Sequence, residues 1–206
     1  MEEGKNTNPE LSVGELLRLR SNELAEAALR VSVIAPSLER VARQFAQIIE
    51  QRRTIFACGN GGSAADAQHF AGELVGRFKV DRRGLPALAL TTDGVVMTAI
   101  SNDYSFRDVF SRQLEAIARP GDGLLAISTS GRSANILAAL ARGRELGMYT
   151  VLLTGEHTGS TQDVDADEIL RVPATDTSLI QELHILVIHT LCEWIERLAM
   201  RQPRPD

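Results

Sequence analysis

Two stretches decide the fold: Thr54-Ile-Phe-Ala-Cys-Gly-Asn-Gly-Gly-Ser63 and Gly123-Leu-Leu-Ala-Ile-Ser-Thr-Ser-Gly-Arg-Ser133. Each begins as a short run of apolar residues, breaks into a turn of Gly and Ser, and continues with helical spacing. An apolar run that does not alternate with polar residues is a strand covered on both faces, and such strands belong to parallel sheets. The same unit recurs outward from these two. Pro86–Leu90 leads into helical stretches at 94–101 and 106–118, and Gly123–Ile127 into a helix reaching Leu146. Thr150–Leu153 ends in Thr154-Gly155, and Glu168–Val172 precedes a long helix over Ser178–Met200. Five strands each followed by a helix predict an α/β fold with a five-stranded parallel sheet and helical crossovers.

Ahead of this unit the pattern is helical. Leu16, Leu19, Leu24, Ala27, Ala28 and Val31 recur at helical spacing. Pro36 interrupts, and Ser37 is the expected N-cap of a second helix with Leu38, Val41, Ala42, Phe45, Ile48 and Ile49 on one face. The expected organisation is a disordered lead-in at 1–9, N-terminal helices at 10–52 that pack between subunits, one α/β domain at 53–200 forming a single unit with those helices, and a tail at 201–206.

Composition narrows the function. The 206 residues are 44% hydrophobic and 24% charged, ordinary for a globular chain, and the net charge is −5. No basic stripe stands out and aromatics are 4%, so neither backbone neutralisation nor base stacking is indicated, and no nucleic-acid partner is expected. Apolar runs fall far short of the ~20 residues of a membrane helix, so no membrane partner is expected. Met1-Glu2-Glu3 opens the chain without an apolar core for a signal peptide. Cys58 and Cys192 are lone and far apart, which suits a reducing compartment and gives the expectation of a cytoplasmic protein.

Ligands in open α/β sheets bind beyond the carboxyl ends of the strands, where the two Gly/Ser turns fall. In Ser128-Thr-Ser-Gly-Arg-Ser133, four hydroxyls and free backbone N–H groups suit a phosphate; a helix cap would need only one hydroxyl. No Gly-Lys-Ser/Thr triplet makes it a nucleotide P-loop. In Gly59-Asn-Gly-Gly-Ser63, three glycines allow close approach of backbone to a ligand, whereas a tight turn needs one. His69 and Glu73 stand four apart on the following helix, on one face: a metal pair, an acid/base pair, or an exposed polar face. Gln181, Glu182, His184 and His189 lie in a very apolar helix, where polar groups must find partners or ligands. Asn102-Asp103 reads locally as a turn cap, His157 as solvated, Trp194 and Met200 as packing, and Cys58 as structural.

Taken together and in order, these strings resemble the sugar isomerase (SIS) domain and, within it, the phosphoheptose isomerases. The matching segments are Cys58–Phe70, Glu73, Gly76-Arg-Phe78, Leu85-Pro-Ala87, Ser101-Asn-Asp103, Phe110-Ser-Arg112, Ile127–Gly131 with Ser133, Ile180–His184 and Ile188-His189. The resemblance implies a flavodoxin-like three-layer α/β/α sandwich and a homotetramer. It also implies interconversion of sedoheptulose 7-phosphate and D-glycero-D-manno-heptose 7-phosphate, the first step toward nucleotide-activated heptose for surface polysaccharide. Carried over residue by residue, it makes Glu73 and His189 the acid/base pair. It makes His69, Glu73, Gln181 and His189 the ligands of one zinc per subunit. Ser128, Thr129, Ser130 and Ser133 would hold the phosphate; Asn60, Gly61, Gly62 and Ser63 would line the sugar. Asn102, Asp103 and Gln181 would contact substrate, and Arg77 would support the site. Arg132 in the phosphate loop and the stretch 156–165 depart from the family pattern. A related class, a non-catalytic tetrameric regulator that binds the bacterial replication initiator, is the rival reading. The stretch 91–100 resembles it, but the presence of both Glu73 and His189 favours the isomerase.

Overall fold

Strands β1 (Ile55–Gly59), β2 (Ala87–Ala89), β3 (Gly123–Ile127), β4 (Tyr149–Gly155) and β5 (Glu168–Val172) form one fully parallel sheet in the order β2-β1-β3-β4-β5. The computed structural model describes residues 11–156 and 164–200. The expected lead-in at 1–9, the tail at 201–206 and His157 lie outside the described residues. Among the described residues seven α-helices accompany the strands: α1 (Val13–Arg30), α2 (Ala35–Glu50), α3 (Gly62–Val75), α4 (Gly94–Asp103), α5 (Ser111–Ile117), α6 (Ala134–Glu145) and α7 (Thr177–Met200).

The period-2 geometry of the strands sorts their side chains into two cores. Ile55, Ala57, Leu125, Ile127, Val151, Leu153, Leu170 and Val172 face α2, α3 and α7. Phe56, Cys58, Leu124, Ala126 and Leu152 face Leu114 of α5 and Ile136, Ala139 and Leu140 of α6. Both faces are apolar because both are covered, so the predicted three-layer sandwich is the one observed. Cys58 is wholly buried, which pushes its thiol pKa up, as its structural reading requires.

The strand order places the topological switch point between β1 and β3, where crossovers leave in opposite directions and open a crevice at the strands' carboxyl ends. The turn after β1 is Asn60–Gly61 and the turn after β3 is Ser128–Ser133, so both flank that crevice.

The N-terminal helices depart from expectation at the start of α2. α1 has the Ser12–Glu15 capping box, but a 3₁₀ turn (Val31–Ile34) leads directly into α2 at Ala35. Ser37 is therefore inside α2 and not its N-cap. Pro36 sits in the first turn, where its missing N–H removes no helical bond. The apolar face of α2 is covered within the chain. Leu38, Val41, Ala42, Phe45, Ile48 and Ile49 are buried within the chain, with Phe45 against Phe70 and Tyr149. The apolar residues left exposed include Leu16, Leu17 and Leu29 on α1 and Val95 on α4, a helix with no buried residue.

Candidate active site and metal centre

α3 begins where β1 stops, and the glycine turn makes this possible. Gly61 is the N-cap, with φ +55° and ψ −120°, a conformation a side chain would strain. Gly62 is needed for closeness. The carboxamide of Gln181, from α7, lies so near that a Cβ at Gly62 would meet its Nε2 at 2.4 Å. Gln181 is thus brought to the glycine turn.

Two turns further along α3, His69 and Glu73 face α7. His69 Nε2 lies 2.8 Å from His189 Nε2 and 3.5 Å from Glu73 Oε1. The donor atoms of His69, Glu73 and His189 all fall within 4.8 Å of one another. Residues 120 positions apart in the chain converge because α3 and α7 pack side by side on one sheet face. Two imidazoles and a carboxylate are a donor set for zinc. Two nitrogens on a tetrahedral zinc at ~2.0–2.1 Å would stand about 3.3 Å apart. The rings therefore need to open by only about 0.5 Å from their present hydrogen bond, and His69, exposed on α3, is free to turn. The residues fit the ion. The Phe78 ring also lies beside His189, ring centroids 5.5 Å apart and planes tilted by 34°.

The serine loop is organised around its own hydroxyls. Ser128 Oγ accepts from Gly131 N and lies 3.2 Å from Ser133 Oγ, and Ser130 Oγ accepts from Arg132 N. Ser133 is the N-cap of α6 yet makes no side-chain cap bond, so its hydroxyl is not spent on the first turn of α6. The carbonyl of Thr129 anchors the loop to β4 by accepting from Gly155 N.

Asn60 is joined to Asn135 of α6 by two reciprocal amide hydrogen bonds of 2.8 Å. Sequence reading assigns Asn60 to the sugar and gives Asn135 no role. The structure makes the two a pin between the glycine turn and the serine loop. Asn135→Ala leaves the Asn60 amide without its partner, and stability is expected to fall by about 1–3 kcal/mol in urea denaturation.

Other expected residues lie apart. Asn102 donates to Asp103, both exposed at the end of α4, and no hydrogen bond among the described residues links them to the histidines. Arg77 is exposed beyond the end of α3. The buried arginine of this region is Arg82, which donates to the carbonyls of Glu73 and Leu74 and pairs with Glu196. In the sequence Arg82 is one charge among Asp81-Arg-Arg83 and carries no signal. Glu196 carries one: it follows His189 by seven residues, so it lies on the same face of α7.

Asp66 is 6% exposed, on the α3 face one turn before His69, and its Oδ2 has no hydrogen-bond partner. Burial lifts its pKa from 3.8 to about 6, against the pull of His69. His184, fully buried on α7, is driven the other way, from 6.5 to about 4, by its burial, with the Thr154 backbone opposing the shift. Between about pH 4 and 6 the folded chain keeps the Asp66 proton that the unfolded chain loses, so this group makes stability fall as pH rises. Between pH 6.5 and about 4 the unfolded chain protonates His184 and the folded chain does not, so that group makes stability fall as pH drops. The two slopes oppose. Asp66→Asn removes one of them. It is expected to be more stable than the parent at about pH 7.5 by about 2–3 kcal/mol. It should also lose that stability more steeply on acidification to about pH 4.5, as read by urea midpoints.

Comparison with known proteins places the chain in a family. The SIS domain model matches residues 22–155. The phosphoheptose isomerase of Halorhodospira halophila is 50% identical over 172 residues, 82% of this chain and 87% of that protein. Among solved structures, the phosphoheptose isomerase of Neisseria gonorrhoeae superposes with a TM-score of 0.81 at 41% identity, covering 90% of this chain and all of that one. That of Francisella tularensis gives 0.84 at 34% identity, covering 91% and 100%. With the strand order, the two ligand turns and the converged His–Glu–His group already in place, the chain belongs to the phosphoheptose isomerase family of SIS-domain proteins.

Proposed function

We propose that the protein interconverts sedoheptulose 7-phosphate and D-glycero-D-manno-heptose 7-phosphate. The observation that carries this is the convergence of Glu73 and His189, a carboxylate and an imidazole, between α3 and α7, in a chain whose hydroxyl-lined turn follows the neighbouring strand β3. In the ketose-to-aldose direction a proton leaves C1 and one is delivered to C2. The O1 hydroxyl proton departs as the C1 carbonyl forms, and O2 gains a proton. Such a reaction needs paired proton acceptors and donors on one side of the sugar. Glu73 and His189 are the proposed pair.

Ser128, Thr129, Ser130 and Ser133, with the α6 N–H groups, hold the phosphate, and its binding energy positions the reacting carbons. Asn60, Gly61, Gly62 and Ser63 border the sugar, with Gln181 across the turn. Asn102, Asp103 and Arg77 complete the substrate contacts in this reading. His69, Glu73 and His189, with Gln181 as the candidate for the fourth position, would hold one zinc. When bound there, zinc supplies Lewis-acid stabilisation of negative charge on O1 and O2. The exposed apolar residues of α1 and α4 suit burial in a homotetramer. Cytoplasmic residence follows the phosphorylated substrate, and no helix among the described residues is long and apolar enough to cross a membrane.

The test is incubation of purified protein with sedoheptulose 7-phosphate and zinc, the aldose phosphate being followed by NMR. Turnover is expected. A metal-loaded protein that gives none, yet binds the replication initiator tightly, would establish the regulator reading in its place.

A further inference from the structure

We propose that the buried Arg82–Glu196 pair is a positioning device for the active site, setting the spacing between Glu73 and His189. The inference rests on the reading of His69, Glu73 and His189 as the metal and proton-transfer group. The pair is among the least exposed ionic contacts of the described residues, with side chains 4% and 2% exposed and Arg82 Nε 2.9 Å from Glu196 Oε1. Its contacts run to both halves of the site. On one side, Arg82 donates to the carbonyl of Glu73 and to that of Leu74, each at 2.8 Å, and more weakly to that of Gly76 at 3.4 Å. These are carbonyls at the end of α3, which lack intrahelical partners, and a guanidinium there also meets the negative end of the helix dipole. The backbone of Glu73 itself is therefore tied to Arg82.

On the other side, Glu196 belongs to α7, two turns beyond His189. It accepts from the backbone N–H groups of Phe78, Lys79 and Val80 at 3.2, 2.9 and 3.3 Å. Phe78 is the residue whose ring lies against His189. One carboxylate thus anchors His189's own helix, the aromatic wall beside its imidazole and, through Arg82, the backbone of Glu73. Surface charges could join the end of α3 to α7, as Lys79 and Glu193 do at 2.5 Å. Burying a charge pair is expensive, and replacing it with apolar residues is often neutral or favourable for stability. The charge pairing by itself gives little reason for burial here. Precise spacing between two helices that share a reactive group gives a specific one.

The experiment compares the parent with Arg82→Met/Glu196→Met, which removes both charges at similar volume, and with Arg82→Lys, which keeps the charge but loses the fork to two carbonyls. Metal-free proteins are titrated with cobalt(II), and d–d absorption reports affinity and coordination geometry. Turnover of sedoheptulose 7-phosphate is measured separately. The double variant is expected to melt lower, because backbone groups at 73–80 lose their partners, and, measured well below its melting temperature, to bind cobalt about 10–100-fold more weakly. It should lose kcat with KM little changed, because neither residue contacts the serine loop. Arg82→Lys is expected to fall between the two, and it decides the matter should the double variant not fold. A merely structural role would lower the melting temperature and leave cobalt affinity and kcat of the folded protein unchanged; that result overturns the inference. A parent protein that binds no cobalt overturns the metal reading and this inference with it, whereas equal binding by parent and variants overturns the positioning role alone.

Discussion

Glu73→Gln is expected to reduce kcat by about 10²–10⁴-fold while KM for the heptose phosphate changes little. Glutamine matches glutamate in shape, so packing on α3 and the contact with His69 at 3.5 Å can persist. What disappears is the ability to take up and return a proton. In the proposed reading the phosphate sits at Ser128–Ser133, on a different strand and helix, and largely sets KM, so the two kinetic constants should separate. The carboxylate also belongs to the proposed ligand set, and a carboxylate bound to a cation is a weaker base. Glu73 would then have to serve as both ligand and base. The measurement therefore needs metal content alongside rate. A Glu73→Gln variant that is fully loaded with zinc and inactive assigns the loss to proton transfer. A variant that regains activity only with excess zinc assigns the loss to ligation. Full activity at parental metal content would remove Glu73 from the mechanism.

The features behind that expectation are legible in the sequence because they are local and repetitive. Unbroken apolar runs ending in Gly and Ser identify parallel strands and their ligand ends, and the spacing of four places His69 and Glu73 on one helix face. Convergence of that face with His189 is another matter. It depends on α3 and α7 lying on the same side of the sheet, a property of crossover handedness and strand order that no local pattern states. For these residues the family resemblance carries the expectation, and the structure supplies the distances. What is illegible is consistent in kind. Asn135 follows a serine-rich turn in which every residue looks like a cap or a ligand, so its pairing with Asn60, 75 positions away, has no periodicity to reveal it. Arg82 sits in a charged loop that reads as solvated, and only tertiary packing shows that its charge is buried. Ser37 misleads because a Pro-Ser pair commonly precedes a helix, whereas here a 3₁₀ turn carries the chain into α2 at Ala35, ahead of that pair.

Gly59→Ala is expected to be the most damaging small substitution in the chain. Gly59 is the last residue of β1, and a Cβ there would stand 2.2 Å from the carbonyl oxygen of Ser63 and 2.5 Å from its carbonyl carbon. Both are backbone atoms, so no side-chain rotation relieves the overlap. β1 cannot retreat, since β2 and β3 hold it on either side and Gly59 is in register with Ile127. The start of α3 must move instead, and it carries Gly62 under the Gln181 amide, with the Asn60–Asn135 pin just ahead of it. A stability loss of at least about 3 kcal/mol follows, together with loss of turnover in whatever protein folds. Gly72→Ala supplies the opposite sign in the neighbouring helix. Gly72 is exposed on α3, and a Cβ there meets nothing within 4 Å. A methyl group at an open helical position should stabilise by about 0.5–1 kcal/mol. Melting temperatures at one fixed protein concentration read both. A Gly59→Ala protein that melts with the parent would mean that the turn after β1 is not the rigid junction on which the placement of Gln181, His69 and Glu73 depends.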